Sequence, residues 1–241
     1  LAITRLMSSM AFLRIFSSNR AARQGARLAV ACLWLLLAGV ARADVSADDG
    51  WRLQRQEPAR QIRVYLHDRP DALYRDVYAV TVMPGTPSGI EAVVSDVAAM
   101  PQWAARVSAA RLIKRHGNQA WIYIQYRLPY PFKQRDVVVR SERSLTSGVI
   151  SIRSQAVRGY AREIPGRIRL YSVQSSWRLT PQPDGQVKIE LWGSAEPGGL
   201  VPAVLYNYNL ADDALQTLRQ LRRMSIREKY QDKALSSADS P

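Results

Sequence analysis

One long amphipathic run near the end of the chain constrains its fold more than any other feature. From Ala203 to about Tyr230, residues Ala203, Asn207, Leu210, Ala214, Leu218 and Leu221 recur three or four apart and share one face of a helix. Glu196-Pro-Gly-Gly-Leu-Val-Pro202 launches it. Gly198 and Gly199 supply a turn that other residues resist, and Pro202 suits a helix start, where its missing N–H costs nothing. Asp212 and Asp213 are predicted to face solvent. Arg219, Arg222, Arg223, Arg227 and Lys229 crowd the far end, where cations favour the helix dipole. At 1.5 Å per residue the rod is roughly 40 Å long. Such a rod needs a broad apolar partner.

The preceding sequence offers antiparallel strands as that partner. Ser46 to Arg60 reads as a short helix or lead-in anchored by Trp51 and Leu53. Gln61–Leu66 and Tyr74–Val82 alternate like strands. Thr86 and Pro87 cap and start a helix whose buried stripe is Ile90, Val93, Val94, Val97 and Ala98, ending at Met100-Pro101. Beyond Trp103 come hairpins. Ala109–Arg115 and Gln119–Leu128 flank His116-Gly-Asn118; Asp136–Leu145 and Val149–Val157 flank Thr146-Ser-Gly148; Arg167–Leu179 and Gln186–Ser194 flank Thr180 to Gly185. One large antiparallel sheet with a helix midway and a long helix at the end makes the fold α+β.

The first 43 residues belong to a different element. Arg5, Arg14, Arg20, Arg23 and Arg27 precede the apolar run Leu28–Val40, and Ala41-Arg-Ala43 follows it. A basic start, a short apolar core and an Ala-x-Ala end predict a signal peptide over 1–43, cleaved before Asp44. The alternative is an uncleaved inner-membrane anchor. Cys32, the one cysteine, lies inside this segment, so the mature chain offers no thiol chemistry. Removing 1–43 leaves 28 basic against 20 acidic residues, a formal charge of +8 instead of +14. The domain then spans 44–230, with 231–241 as a flexible tail. A basic surface outside the cytoplasm points to anionic lipid rather than nucleic acid, with the basic end of the last helix docking transiently on an anionic membrane.

Catalytic and metal chemistry lack parts. The two histidines, His67 and His116, both fall in predicted turns, so a zinc site or a histidine triad is incomplete. No Gly-x-Ser-x-Gly elbow, dinucleotide fingerprint or phosphate loop occurs. Expected, therefore, are no catalytic residues, no metal and no cofactor. The strands are more informative. Ile122, Ile124 and Tyr126 share one face, as do Val137, Val139 and Ser141, while Tyr171, Val173, Ser175, Trp177 and Leu179 alternate with Leu170, Ser172, Gln174 and Ser176. Apolar lining with occasional Ser, Tyr or Asn is what a lipid-sized pocket needs. A filled core produces the same alternation.

Pro129-Tyr-Pro-Phe-Lys-Gln-Arg135-Asp136 resembles the Pro-x-Pro-x-x-x-Arg-Asp signature of the StAR-related lipid-transfer (START) domain. Glu196-Pro-Gly-Gly-Leu-Val-Pro202 followed by Ala-Val-Leu-Tyr-Asn207 resembles the lead into that family's lid helix, and the resemblance covers roughly residues 48–227. It implies a helix-grip fold: a curved antiparallel sheet wrapped around the C-terminal helix, with an internal hydrophobic tunnel. It also implies a monomeric, non-enzymatic binder and carrier of a lipid or other hydrophobic small molecule, here in the periplasm. The expected lining is Ile122, Ile124, Tyr126, Val137, Val139, Ser141, Tyr171, Val173, Trp177, Asn207, Leu210 and Ala214. Tyr160, Ile164 and Pro165, in the loop Arg158–Arg167, are the expected gate. Sterol-carrying members place an acid and an arginine in the tunnel; here those positions match Ile122 and Ser141. Arg135 and Asp136 read as a structural pair. The alternative is an enzyme of the same superfamily, cyclase, aromatase or hydrolase-like, and a His, Asp or Glu facing the void would favour it.

Overall fold

The computed structural model describes residues 50–70 and 72–231. The expected signal peptide and its cleavage site lie outside the described residues, as does most of the expected tail.

Alternating side chains and tight turns build a ten-stranded sheet. Its strands are β1 (Trp51–Glu57), β2 (Ile62–His67), β3 (Asp76–Pro84), β4 (Val107–His116), β5 (Gln119–Tyr126), β6 (Arg135–Thr146), β7 (Val149–Ala156), β8 (Ile168–Arg169), β9 (Val173–Gln182) and β10 (Gln186–Ala195). They lie in the order β1-β2-β3-β10-β9-β7-β6-β5-β4, all antiparallel, with the two-residue β8 added parallel to β6. The β6–β7 hairpin turns on Ser147 and Gly148, both at positive φ, as its Thr-Ser-Gly sequence predicts.

Two helices complete the fold, α1 (Pro87–Val94) and α2 (Ala203–Ser225). Thr86 caps α1, its side chain accepting from Gly89 N–H, and Pro87 takes the first turn. Met83, Ile90, Val93, Leu179, Ile189, Leu218, Leu221 and Met224 are nearly sealed from solvent in the main core, where α2 and α1 meet the sheet. A second cluster gathers Val97, Ile122, Ile124, Val137, Val139 and Leu170. This is the α+β helix-grip arrangement.

Four local expectations are corrected. Trp51–Glu57 is a strand, not a helical lead-in, because pairing with β2 overrides its weak local signal. Helix α1 stops at Val94, and a 3₁₀ segment over Val97–Gln102 shifts the phase, so Ala99 is buried where Ala98 was expected. Helix α2 ends at Ser225 rather than near Tyr230; Tyr230 folds back into the core and donates to Asp96 at 3.0 Å. Finally, Arg167–Leu179 is not one strand. Leu170 N–H donates to Asp136 O, and the interruption before Val173 turns Leu170 inward and Tyr171 outward.

Candidate functional site

The two motifs that carried the resemblance touch each other. Successive residues of a strand point to opposite faces, so Arg135 and Asp136, both buried at the start of β6, serve different partners. Arg135 donates to the carbonyls of Pro197 (3.1 Å), Gly198 (3.0 Å) and Lys133. It thereby clamps the loop that launches α2. Burial lowers its pKa, and three carbonyl dipoles rather than a carboxylate stabilise its charge. Asp136 turns the other way, accepting from Arg169 and from the Tyr123 hydroxyl at 2.6 Å. Gly199 must be glycine: its φ is +61°, and a Cβ there would lie 2.7 Å from Ile168 Cδ1.

Between this clamp and the first turns of α2 lies a cavity of about 380 Å³. Liquid water would fill that volume with about a dozen molecules, at roughly 30 Å³ each. Leu128, Pro129 and Phe132 from the β5–β6 loop form one wall, with Leu170, Val173, Ala195 and Pro197 from the β8–β10 region. Helix α2 supplies the opposite wall through Leu205, Tyr206, Asn209, Leu210 and Asp213. Tyr126, Arg135, Val201, Ala105 and Arg106 complete the lining. Around it, Tyr130, Leu200, Val204 and Tyr208 expose 96, 95, 83 and 67% of their surface, an apolar fringe on the same loop and helix start.

The polar groups on this apolar wall are few. Arg106 reaches Asp213 as an ion pair joining the turn before β4 to α2. Beside it, Ala105 N–H donates to Thr217 Oγ1 at 3.1 Å. Asp213 therefore does not face solvent: it is turned to the cavity, while Asp212 pairs with Arg55 at 2.6 Å. Burial raises the Asp213 pKa, and Arg106 opposes that rise. Burial pushes the Tyr126 phenol up to about 12, and raises Tyr206 too, helped by Tyr126 and Asp213. Tyr126 nonetheless keeps accessible surface. Tyr126 lines the cavity, so that surface faces it.

Of the expected lining, Tyr126, Val173 and Leu210 border the cavity. Ile122, Ile124, Val137 and Val139 point to the same side of the sheet but are packed in the second cluster. Ser141 is spent on Ser154, 2.7 Å away. Trp177 packs edge-on against Trp103, ring centroids 5.8 Å apart, and Ala214 joins them in the main core. Asn207 ties α2 to the segment before β3, accepting from Arg75 N–H and donating to Leu73 O, each at 3.0 Å. Tyr171 is outside, under Arg158 and bonded to Glu163. The expected gate lies elsewhere too. Tyr160 stacks on Trp121, on the face opposite Ile122, and Ile164 and Pro165 are exposed. Among the described residues no cluster of His, Cys, Asp and Glu could hold a metal ion.

The same architecture occurs in known proteins. A STAR-related lipid transfer protein from Xanthomonas axonopodis superposes with a TM-score of 0.69 at 27% identity, covering 74% of this chain and all of that one. Human STARD10 superposes with a TM-score of 0.68 at 16% identity, covering 92% of this chain and 86% of that one. The chain belongs to the START-like superfamily. An uncharacterized protein of Pseudomonas aeruginosa is 30% identical over 185 residues, 76% of this chain and 90% of its own length. No family model matches the chain.

The residues missed from sequence in this START-like chain are instructive. Arg106 sits in a turn at φ +60°, with no pattern to mark it. Tyr206 and Asp213 were legible in principle, lying four residues before and three after the expected Leu210 on one helix face next to the core stripe.

Proposed function

We propose that this protein binds one lipid or other hydrophobic molecule in the cavity beneath the start of α2, and carries it without chemical change. The observation that carries the reading is the cavity itself: an apolar space, walled on one side by the start of α2, in a fold shared with a lipid transfer protein at 27% identity. Burying a hydrocarbon contributes about 0.8 kcal/mol per CH₂, so binding of this kind needs no covalent step. The basic, Ala-x-Ala-terminated leader supports a role in the cell envelope. Exchange with a bilayer runs through the mouth, where Tyr130, Leu200, Val204 and Tyr208 supply the apolar contact. The cations at the far end of α2 are engaged within the fold: Arg219 with Glu57, Arg222 with the carbonyls of Arg60 and Val82, Lys229 with Asp96.

A second reading, an enzyme of the same superfamily, is favoured by one feature, the Asp213 carboxylate facing the cavity. Its pairing with Arg106 makes it a structural charge rather than a free base. The test is native mass spectrometry of the purified chain, wild type against Leu210→Trp, whose larger ring takes up part of the cavity. A hydrophobic adduct on the wild type, depleted in the variant and of unchanged mass after extended incubation, supports carriage. A bare wild-type mass that added lipids do not alter refutes binding, and conversion of the adduct establishes the enzyme.

A further inference from the structure

This inference rests on the reading of the cavity as a ligand site and names the chemistry of what enters it. The hydroxyls of Tyr126 and Tyr206 donate to no described residue, although burial raises the pKa of both. Their rings belong to the cavity wall, one from the end of β5 and one from the second turn of α2. Asn209 stands a turn away on α2 with one of its two amide N–H groups spent on Leu205 O at 2.7 Å, leaving the other and its carbonyl oxygen. The wall is otherwise apolar apart from two guanidinium groups and one carboxylate. Those charges are accounted for. Arg106 and Asp213 close on each other, and Arg135 is occupied by the carbonyls of Pro197, Gly198 and Lys133.

We propose that the cavity selects an uncharged amphiphile: an apolar chain or ring system ending in a hydroxyl or carbonyl, which the phenols of Tyr126 and Tyr206 receive. Two physical selections follow from the wall. A plain hydrocarbon leaves both phenols without a partner in a water-poor site, whereas a hydroxyl or carbonyl accepts from them. A site built to hydrogen-bond a group rejects the analogue that lacks it more strongly than an apolar pocket rejects a missing methylene. An ionised head fares no better. It meets no free cation on the wall and lies beside the Asp213 carboxylate, so its desolvation goes uncompensated. The Arg106–Asp213 pair arises from the turn before β4 and from α2, not from the strand positions Ile122 and Ser141, where sterol-carrying relatives are expected to keep their acid and arginine.

The test is displacement of the apolar fluorophore N-phenylnaphthylamine from the purified chain by a matched series: dodecane, dodecanol, dodecanone, dodecanoate and dodecyl phosphate. Dodecanol and dodecanone are expected to displace it at concentrations about tenfold below those of dodecane and of the two anions. Tyr126→Phe and Tyr206→Phe are each expected to erase about threefold of the dodecanol advantage, and the double variant all of it, without weakening dodecane, with melting curves confirming that the variants fold. Equal displacement by dodecane and dodecanol, tighter binding of either anion, or indifference to both phenylalanine variants overturns the headgroup proposal. Failure of the fluorophore and of every competitor to bind wild type overturns the carrier reading instead, so the two failures are told apart.

Discussion

Replacing Asp136 with asparagine tests the buried polar network most directly. Asp136 is fully buried, and the Arg169 side chain is 4% exposed. The contact is a fork: Arg169 Nε donates to Oδ1 at 2.6 Å and a terminal nitrogen donates to Oδ2 at 3.3 Å. The Tyr123 hydroxyl completes Oδ2, and Arg169 also holds the carbonyls of Ala161 and Arg162. Asparagine preserves the shape but removes the charge, and it points an N–H at donors. Breaking one side of such a pair costs about 3–5 kcal/mol, because the remaining guanidinium stays buried and uncompensated. For a domain of this size that is a fall in Tm of roughly 6–20 °C. Urea unfolding followed by circular dichroism measures it. In a cycle with Arg169→Met, the double variant is expected to lose several kcal/mol less than the summed singles. A loss under about 1 kcal/mol for Asp136→Asn would refute the reasoning. The pH dependence gives a second check. Burial opposes the Asp136 charge, but the hydrogen bonds from Arg169 and Tyr123 outweigh it and hold the carboxyl below its ordinary value. A depressed folded pKa contributes stability that is complete above the unfolded value, near 3.9, and is lost as pH falls through the folded value. Wild type is therefore expected to lose stability below about pH 4, and the variant to lack that part of the slope.

Other perturbations separate the two ends of α2 and the loop that starts it. Asn207→Ala removes two hydrogen bonds to the segment before β3 and is expected to cost about 1–2 kcal/mol locally; hydrogen exchange at residues 203–210 should quicken while residues 214–224 keep their protection. Gly199→Ala combines a left-handed backbone with a 2.7 Å approach to Ile168 and is expected to cost about 1–3 kcal/mol in urea unfolding, with Ile168→Ala in the same chain restoring only the steric share. Leu200→Asp with Val204→Asp should weaken cosedimentation with anionic vesicles while leaving the melting temperature within a few degrees, since both side chains are exposed.

How much of this was legible depends on which neighbour decides each residue. Strand alternation is local, so Ile122, Ile124, Val137 and Val139 were correctly assigned to one side of the sheet. Whether that side is hollow is decided by what arrives from far along the chain, and here Val97, Val107 and Leu170 pack against those four residues. The same limit applies to Trp51–Glu57, whose polar residues suit an edge strand only once β2 lies alongside. Tyr171 was misplaced because a break of a few residues before Val173 reverses the alternation, and nothing in Leu170-Tyr-Ser172 announces it. By contrast, the Arg-Asp and Pro-Gly-Gly motifs were visible, but not the reason for their pairing: the guanidinium of one is solvated by the carbonyls of the other.

Helix α2 divides its work along its length of about 35 Å. Its later turns bury Ala214, Leu215, Leu218, Leu221 and Met224 in the main core, and Arg222 fastens that end to the carbonyls of Arg60 and Val82. Its first turns bury little. Val204, Leu205 and Tyr208 are exposed, and the attachments there include the two hydrogen bonds of Asn207, one from Tyr74 to Val201 O, the Tyr74–Tyr206 ring contact and the Arg55–Asp212 and Arg106–Asp213 pairs. Local opening follows the weakest contiguous set of contacts. On the proposed carrier role, lifting the first turns is the expected way in, because it would expose the cavity while leaving the core and the far cations in place. A lid anchored evenly along its length would have to disrupt the core to open; the uneven attachment of α2 predicts instead that residues 203–210 exchange their amides faster than residues 214–224.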